Sequence, residues 1–339
     1  MRSVAVIGFA AAVAPHPDGR SDAELLAPVV DQALMAAGVA REEVGVVASA
    51  SSEFLGGVVG TVMAAFDALP CWPPRTHVHL EGEGALAFFE AWVRLQAGEA
   101  DVALACAFSR PLAPEPRSIL SLQLDPYLVA PLAPDPRSLA ALQARALIET
   151  GRYEEIDFAR VTSLRRRNVE IDALLAQPYV ASPLRALDCS SVCSGAAAVV
   201  LAEGDRAKAV EGNPAWIRGI EHGVESAALG RRDLARAPSI EAAAATLGLP
   251  GSIIDVAEVH APFSHQELII TDALGVKEIE SLNPSGGALP ADPLMATGLI
   301  RIGEAARAIL EGDARLALAH ATNGPCLQHN VLCLLEAEP

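Results

Sequence analysis

Apolar positions along this chain fall into short continuous runs that alternate with helical stripes. "VAVIGFA" near the start is β-branched and reaches a glycine, which predicts a buried strand over Ser3 to Gly8 closed by a glycine turn. Ser21, with Glu24 three residues on, has the form of a capping box, and Gly38 follows Ala37, so a helix is predicted over Ser21 to Ala37. "EVGVVASASS" reads as the next buried strand. From 85 to 96 apolar residues stand at 85, 86, 88, 89, 92, 93 and 95, an almost all-round pattern that predicts a central, buried helix. "DVALACAF" is a further continuous strand of the kind found in sheets covered on both faces.

The rhythm breaks between 111 and 138, where "PLAPEPRSILSLQ" and "PLAPDPRSLAALQ" repeat at an offset of 20 residues. Two copies are too few for a solenoid, so the stretch reads as an inserted loop region over the core or as a linker. Helices at about 138–150 and 156–174 follow, then "SPLRALDCSSVCSGAAAVVLAE", a turn leading into a strand. After "EGNP" the pattern starts again: strand "AWIRGIE", helix 239–246, strand "IDVAEVH", helix 264–274, a glycine-rich turn, helix 294–311, and strands 315–321 and 330–336. This predicts α/β architecture in two halves, 1–212 with a proline-rich insertion at about 111–180, and 213–339.

Composition narrows the function. The 339 residues are 51% hydrophobic but only 4% aromatic, so Ala, Leu and Val must fill closely packed layers. A formal charge of −17, from 42 acidic and 25 basic residues, argues against nucleic acid and anionic lipid surfaces as partners. A local basic patch could still hold an anion; Arg165-Arg166-Arg167 is one candidate, its alternative being a solvated helix face. Six cysteines, at 71, 106, 189, 193, 326 and 333, form no Cys-x-x-Cys pair, which fits a reducing cytoplasm. The start "MRSVAVIGFAAAVAPHP" imitates a signal peptide, but its β-branched run and Pro15 favour a strand. No segment reaches the roughly 18 to 20 apolar residues a membrane span needs, so no insertion is expected.

Six segments in order carry a resemblance: "GEGALAFFEAWVRLQAGEAD", "SLRRRNVEIDALLAQ", "SPLRALDCSSVCSGAAAVVL", "DVAEVHAPFSHQEL", "NPSGG" with "DPLMATG", and "LAHATNGP". Together they resemble the thiolase superfamily, within it the sterol-carrier-type thiolases and lipid-transfer proteins. The resemblance implies a thiolase-like fold of two similar halves in an αβαβα arrangement, and a coenzyme A thioester as ligand without a further cofactor. It also implies a homodimer, or a heteromer with a thiolase-like or OB-fold/zinc-ribbon subunit.

The resemblance also locates the site. Counting back from Gly98-Glu99-Ala100-Asp101 without a gap places Glu81 where the family carries its nucleophilic cysteine. Asp292 stands at the position of the paired histidine, His260 is retained in "EVHAPF", and Asn323 precedes Gly324 in the loop that supplies oxyanion donors. Phe263, Gly286 and Gly287 are expected to line the ligand. Cys193 or Cys326 could replace the missing thiol, but both read better as small apolar packing groups. His77, His79 and Glu81 share one side of a strand as metal ligands sometimes do, yet no fourth ligand is evident, the strand is expected to end before Glu81, and buried or interface histidines fit better. Glu81 itself is either an acid or base working with His260 and Asp292, or a hydrogen-bonded carboxylate in a retired pocket. The leading expectation is a non-thiolytic subunit in acyl-CoA metabolism. The alternatives are a carbon–carbon lyase or acyltransferase using those three residues, and an acyl-CoA or lipid binding module. Tyr127, Tyr153 and Tyr179 match none of the tyrosines that serve lyases of this kind.

Overall fold

The computed structural model describes residues 2–14, 19–70, 76–111, 116–167 and 169–339; Pro15 and Cys71 lie outside them. Strand β1 is Val4–Ala14 and helix α1 is Asp22–Ala37, with the Ser21 and Glu24 capping box formed and Gly38 left-handed at its end. The strand runs past Gly8, which makes no turn. A side chain there would strike the Ala33 carbonyl and the Ala37 methyl, so glycine is what lets α1 lie close on β1.

Strand β2 (Val46–Ser51) leads to two short helices, α2 (Glu53–Gly56) and α3 (Thr61–Ala65), and then to β3 (Thr76–Glu81). Helix α4 (Gly84–Gln96) and β4 (Val102–Ser109) follow. The proline-rich region is mostly helical: α5 (Pro116–Leu122), α6 (Pro136–Glu149), α7 (Glu155–Arg165) and α8 (Ile171–Leu175) precede the hairpin β5 (Tyr179–Ala181) and β6 (Leu184–Arg185). Each copy of the repeated Pro-Arg-Ser starts a helix, because proline has its φ preset and no N–H to lose in a first turn. The long helix predicted over 156–174 is two helices, interrupted where Arg167 takes a left-handed φ of 61°.

Strand β7 (Ser194–Glu203), helix α9 (Gly204–Lys208), strand β8 (Ala215–Val224), helix α10 (Pro238–Thr246), strand β9 (Ile253–Val259) and helix α11 (Ser264–Leu274) continue the chain. It ends with β10 (Glu278–Leu282), α12 (Thr297–Leu310), β11 (Leu316–Asn323) and β12 (His329–Glu336). Among the described residues the main sheet has the order β10-β9-β11-β12-β8-β1-β7-β4-β2-β3. Read outward from the centre, each half has the same plan, β1-β7-β4-β2-β3 against β8-β12-β11-β9-β10. The halves meet where Ala5 pairs with Trp216 and Val6 with Ala215.

Side chains alternate across β4 and so separate two cores. Ala103, Ala105 and Ala107 join Phe88 of α4 and Leu299 of α12 in the middle layer. Leu104, Cys106 and Phe108 face Leu25, Leu26 and Val29 of α1. On the far side Ile240, Ile269 and Leu274 pack with Ala144, Leu147 and Phe158 of the inserted helices. The arrangement is α/β in five layers, αβαβα. Helix α4 is less enclosed than its pattern predicts: one face is buried, while Val93 is exposed.

Candidate functional site

A cavity of about 820 Å³ opens at the strand and helix ends around α4, α12 and the inserted helices, with Glu81, Glu83, His260, Phe263, Asp292, Asn323 and Gly324 on its wall. Gly286 and Gly287, expected there, are not among the lining residues; Gly287 instead packs against Asn283 in the turn after β10. The fold brings His260 and Asp292 together, with His260 Nε2 3.9 Å from Asp292 Oδ1. Both are buried, at 4% and 2% exposure.

That separation is within ion-pair range, but burial pushes the His260 imidazole down to about 3, helped by nearby Arg301, so the ring is neutral. The Thr322 N–H donates to Nδ1 at 3.4 Å, which leaves the ring proton on Nε2. Nε2 is itself buried and has no hydrogen-bond partner among the described residues, and His260 lies on the cavity wall. Asp292, by contrast, is engaged on both oxygens: Oδ1 accepts from Thr297 Oγ1 at 2.7 Å and Leu294 N at 3.0 Å, and Oδ2 from Ser190 Oγ at 2.8 Å. Burial raises its carboxyl above the usual range, with those hydrogen bonds opposing. Its main chain is also fixed, since Val192 bridges to it and its N–H donates to Ser191 O.

Glu81 lies on the same cavity wall as the other two but is held by different partners. It is the last residue of β3, so the strand does not end before it, and it is exposed. Both its oxygens accept from the Glu53 N–H, at 3.0 and 2.8 Å, at the start of α2. The residue that caps α4 is Glu83, which is 3% exposed. Its Oε2 accepts from Ala85 N at 2.8 Å and its Oε1 from Gly298 N at 2.6 Å, so it joins the N-termini of α4 and α12. Burial pushes its carboxyl up to about 8 although four backbone N–H groups pull the other way. Glu83 escaped the sequence reading. The available signal was a carboxylate immediately before Gly-Ala at a helix start, the usual N-cap place.

Burial leaves none of Cys189, Cys193, Cys326 and Cys333 an activated thiol. Burial pushes the Cys189 and Cys326 thiols up to about 11 and that of Cys193 up to about 12. His77 and His79 share the Ser49 hydroxyl at 2.8 and 2.9 Å on the outer strand pair. No group of three or more His, Cys, Asp or Glu among the described residues is placed to hold a metal ion. The N–H of Gly324 is taken by the Asn323 side chain at 2.8 Å. Loop strain collects around the cavity: Leu294, Cys326 and Leu327 all have φ between 40° and 59°.

Of the arginine run Arg167 is exposed, while Arg165 and Arg166 turn inward. Arg165 is buried against Glu267 at 2.9 Å. Arg166 donates to the carbonyls of Leu187, Cys189 and Leu289 and thereby shapes the cavity wall. Arg137, from the second repeat, lies on the same wall and has no ion pair among the described residues.

No protein-family model matches the sequence. The chain is 31% identical over 188 residues to an acetyl-CoA acetyltransferase of Methanothermobacter thermautotrophicus, covering 46% of this chain and 49% of that protein. It is 31% identical over 163 residues to an acetyl-CoA acetyltransferase of Methanocaldococcus jannaschii, covering 40% and 42% respectively. The chain thus spans about half the length of the curated relatives it matches. Among solved structures, the Ltp2-ChsH2(DUF35) aldolase superposes with a TM-score of 0.78 at 20% identity, over 99% of this chain and 98% of that one. Human mitochondrial 3-ketoacyl-CoA thiolase in complex with CoA gives 0.78 at 18% identity, over 100% and 98%. This protein has the thiolase fold, with acetyl-CoA acetyltransferases among its sequence relatives.

Proposed function

We propose that this chain binds an acyl-CoA thioester in the 820 Å³ cavity and handles it without a covalent thiol intermediate, as a non-thiolytic subunit of a heteromer or dimer in acyl-CoA metabolism. The observation that carries the reading is the character of the cavity. It is open, with polar and apolar walls, a carboxylate at the position assigned to the nucleophile and every described thiol near it held protonated by burial. Arg137 and Arg166 give a cationic wall inside a chain of net charge −17, which suits a ligand bearing phosphates. The superposition on the Ltp2-ChsH2(DUF35) aldolase favours a heteromeric assembly. No described helix is long and apolar enough to cross a membrane, and the five described cysteines are free thiols, which supports a cytoplasmic setting.

Isothermal titration with CoA and acetyl-CoA is expected to show saturable binding. Intact-protein mass spectrometry after acetyl-CoA treatment is expected to show no stable adduct, and an acylated cysteine would overturn the non-thiolytic reading. The second reading, a carbon–carbon lyase or acyltransferase, is favoured by the unpartnered His260 Nε2, a free donor for a thioester oxygen beside Asp292. A binding module is what remains if the ligand is held and never turned over.

A further inference from the structure

A polar cluster sits at one side of the cavity, between α6 and α11. Gln143, the last residue of the second repeat, is fully buried on α6, and His265 and Gln266, in the first turn of α11, are 0% and 3% exposed. Gln143 Oε1 accepts from Gln266 Nε2 at 2.9 Å and lies 3.2 Å from His265 Nε2. A carboxamide oxygen only accepts, so the His265 proton is on Nε2 and both lone pairs of Gln143 Oε1 are taken. That fixes what is left over. Gln143 Nε2 is a donor, His265 Nδ1 and Gln266 Oε1 are acceptors, and all three are buried without a partner among the described residues. Folded proteins seldom leave even one such group unpaired, and here three belong to one hydrogen-bonded cluster.

The place of the cluster in the fold points to a ligand. Gln266 is on the cavity wall, as are Leu139 and Ala140, which stand one turn before Gln143 on α6. Phe263, on the same wall, sets its ring 6.1 Å from that of His265, and buried Phe158 lies 5.8 Å from it. Those rings offer His265 Nδ1 no hydrogen bond. Gln266 is the member of the cluster that meets the cavity, and with its Nε2 spent on Gln143 the group it has to offer is its oxygen.

We infer that Gln266 Oε1 is a specificity group for the acyl part of the bound thioester, accepting from a hydroxyl carried on the acyl chain away from the thioester, and that Gln143 and His265 are positioning residues that fix its amide. The inference rests on the acyl-CoA reading above. A hydroxyl suits the cluster in both senses. It brings the donor that Gln266 Oε1 and His265 Nδ1 lack, and it keeps an acceptor for Gln143 Nε2. A carboxylate or ketone brings acceptors alone and would set oxygen against oxygen at Gln266. A plain alkyl chain would leave that oxygen buried and unpaired, and sites of this kind discriminate strongly against a ligand that lacks the matching group.

The test is calorimetric titration of the full chain with hexanoyl-CoA and with hexanoyl-CoAs hydroxylated at the fourth, fifth or sixth carbon. At least one hydroxylated ligand is expected to bind roughly tenfold tighter or more than hexanoyl-CoA. Gln266→Met keeps the length of the side chain and removes the acceptor, so it is expected to abolish that preference while hexanoyl-CoA stays bound. Gln143→Leu, which leaves the Gln266 amide free to turn, is expected to reduce the preference as well. The ratio of the two affinities is the readout, because a merely structural defect weakens both ligands together. Equal affinities across the series in the wild-type chain, or a preference unchanged in Gln266→Met, overturn the role of Gln266 and leave the acyl-CoA reading intact. Absence of binding by every thioester overturns both. Should the variants fail to fold, the wild-type series decides by itself.

Discussion

At the scale of single residues, Glu83 ties the junction of α4 and α12 to the pH dependence of the chain's stability. Its carboxyl is held at about 8 in the fold against an ordinary value of 4.5, so the folded chain keeps a proton that the unfolded chain releases. The sign follows: the stabilisation is complete below about 4.5 and is lost as pH rises through about 8. Across that window the cost is on the order of 1.4 kcal/mol for each pH unit. Glu83→Gln carries no charge to bury, and urea unfolding at several pH values is expected to give it a flatter profile than the wild-type chain. A wild-type profile that is level or rising from pH 5 to pH 8 would contradict the assigned state. The sequence drew attention to Glu81 and not to the buried Glu83 for a physical reason. Counting from the end of α4 fixes which residue stands where, but which of Glu81 and Glu83 turns inward is decided by the strand-to-helix junction at Gly82, whose φ is 155°. It is decided also by the amide of Gly298, which lies 215 residues away and which no local pattern announces.

At the scale of elements, the site depends on α4 and α12 meeting closely at their N-termini. Gly84 and Gly298 permit it: a side chain at 84 would strike Ala107 and Leu299, and one at 298 would strike the Glu83 carboxylate and Ala321. Gly298→Ala is therefore expected to destabilise by about 1–3 kcal/mol through overpacking. It should also weaken the pH dependence assigned to Glu83, because the carboxylate must leave its Gly298 N–H. Chemical denaturation at two pH values measures both, and a variant as stable as wild type would mean that the helices part easily. Elements of this kind were the legible part of the fold. The Ser21 capping box, the apolar runs of β4 and β7, and the stripe of α11 all form near their predicted ranges, because each is set by local spacing. The inserted region was not legible as helices, since its prolines signal loops until each is seen at the first turn of a helix. Strand β10 and the continuation of β1 beyond Gly8 also depend on partners distant in sequence.

At the scale of the whole molecule, the repeated strand order leaves two edges, β10 and β3, and the surroundings of β3 are ill suited to water. Beside it the stretch 54–66 exposes Phe54, Val58, Val59, Met63 and Phe66, with Val59 at 91% and Met63 at 71%. Phe66 packs its ring edge against His77 of β3, so the apolar stretch is continuous with this edge strand. An open strand edge flanked by large apolar side chains is the usual mark of an association surface. The same elements carry Glu81 and its Glu53 contact, which places any partner next to the mouth of the cavity. The subunit pairing proposed for this chain is therefore expected to use this face. Light scattering of the purified chain should give a dimer mass, and Val59→Glu with Met63→Glu should shift it to a monomer that stays folded, since both side chains already stand in solvent and the change leaves the core untouched. A wild-type chain that is monomeric at high concentration would instead reserve this face for a different subunit. A double variant that still dimerised would move the interface away from β3 altogether.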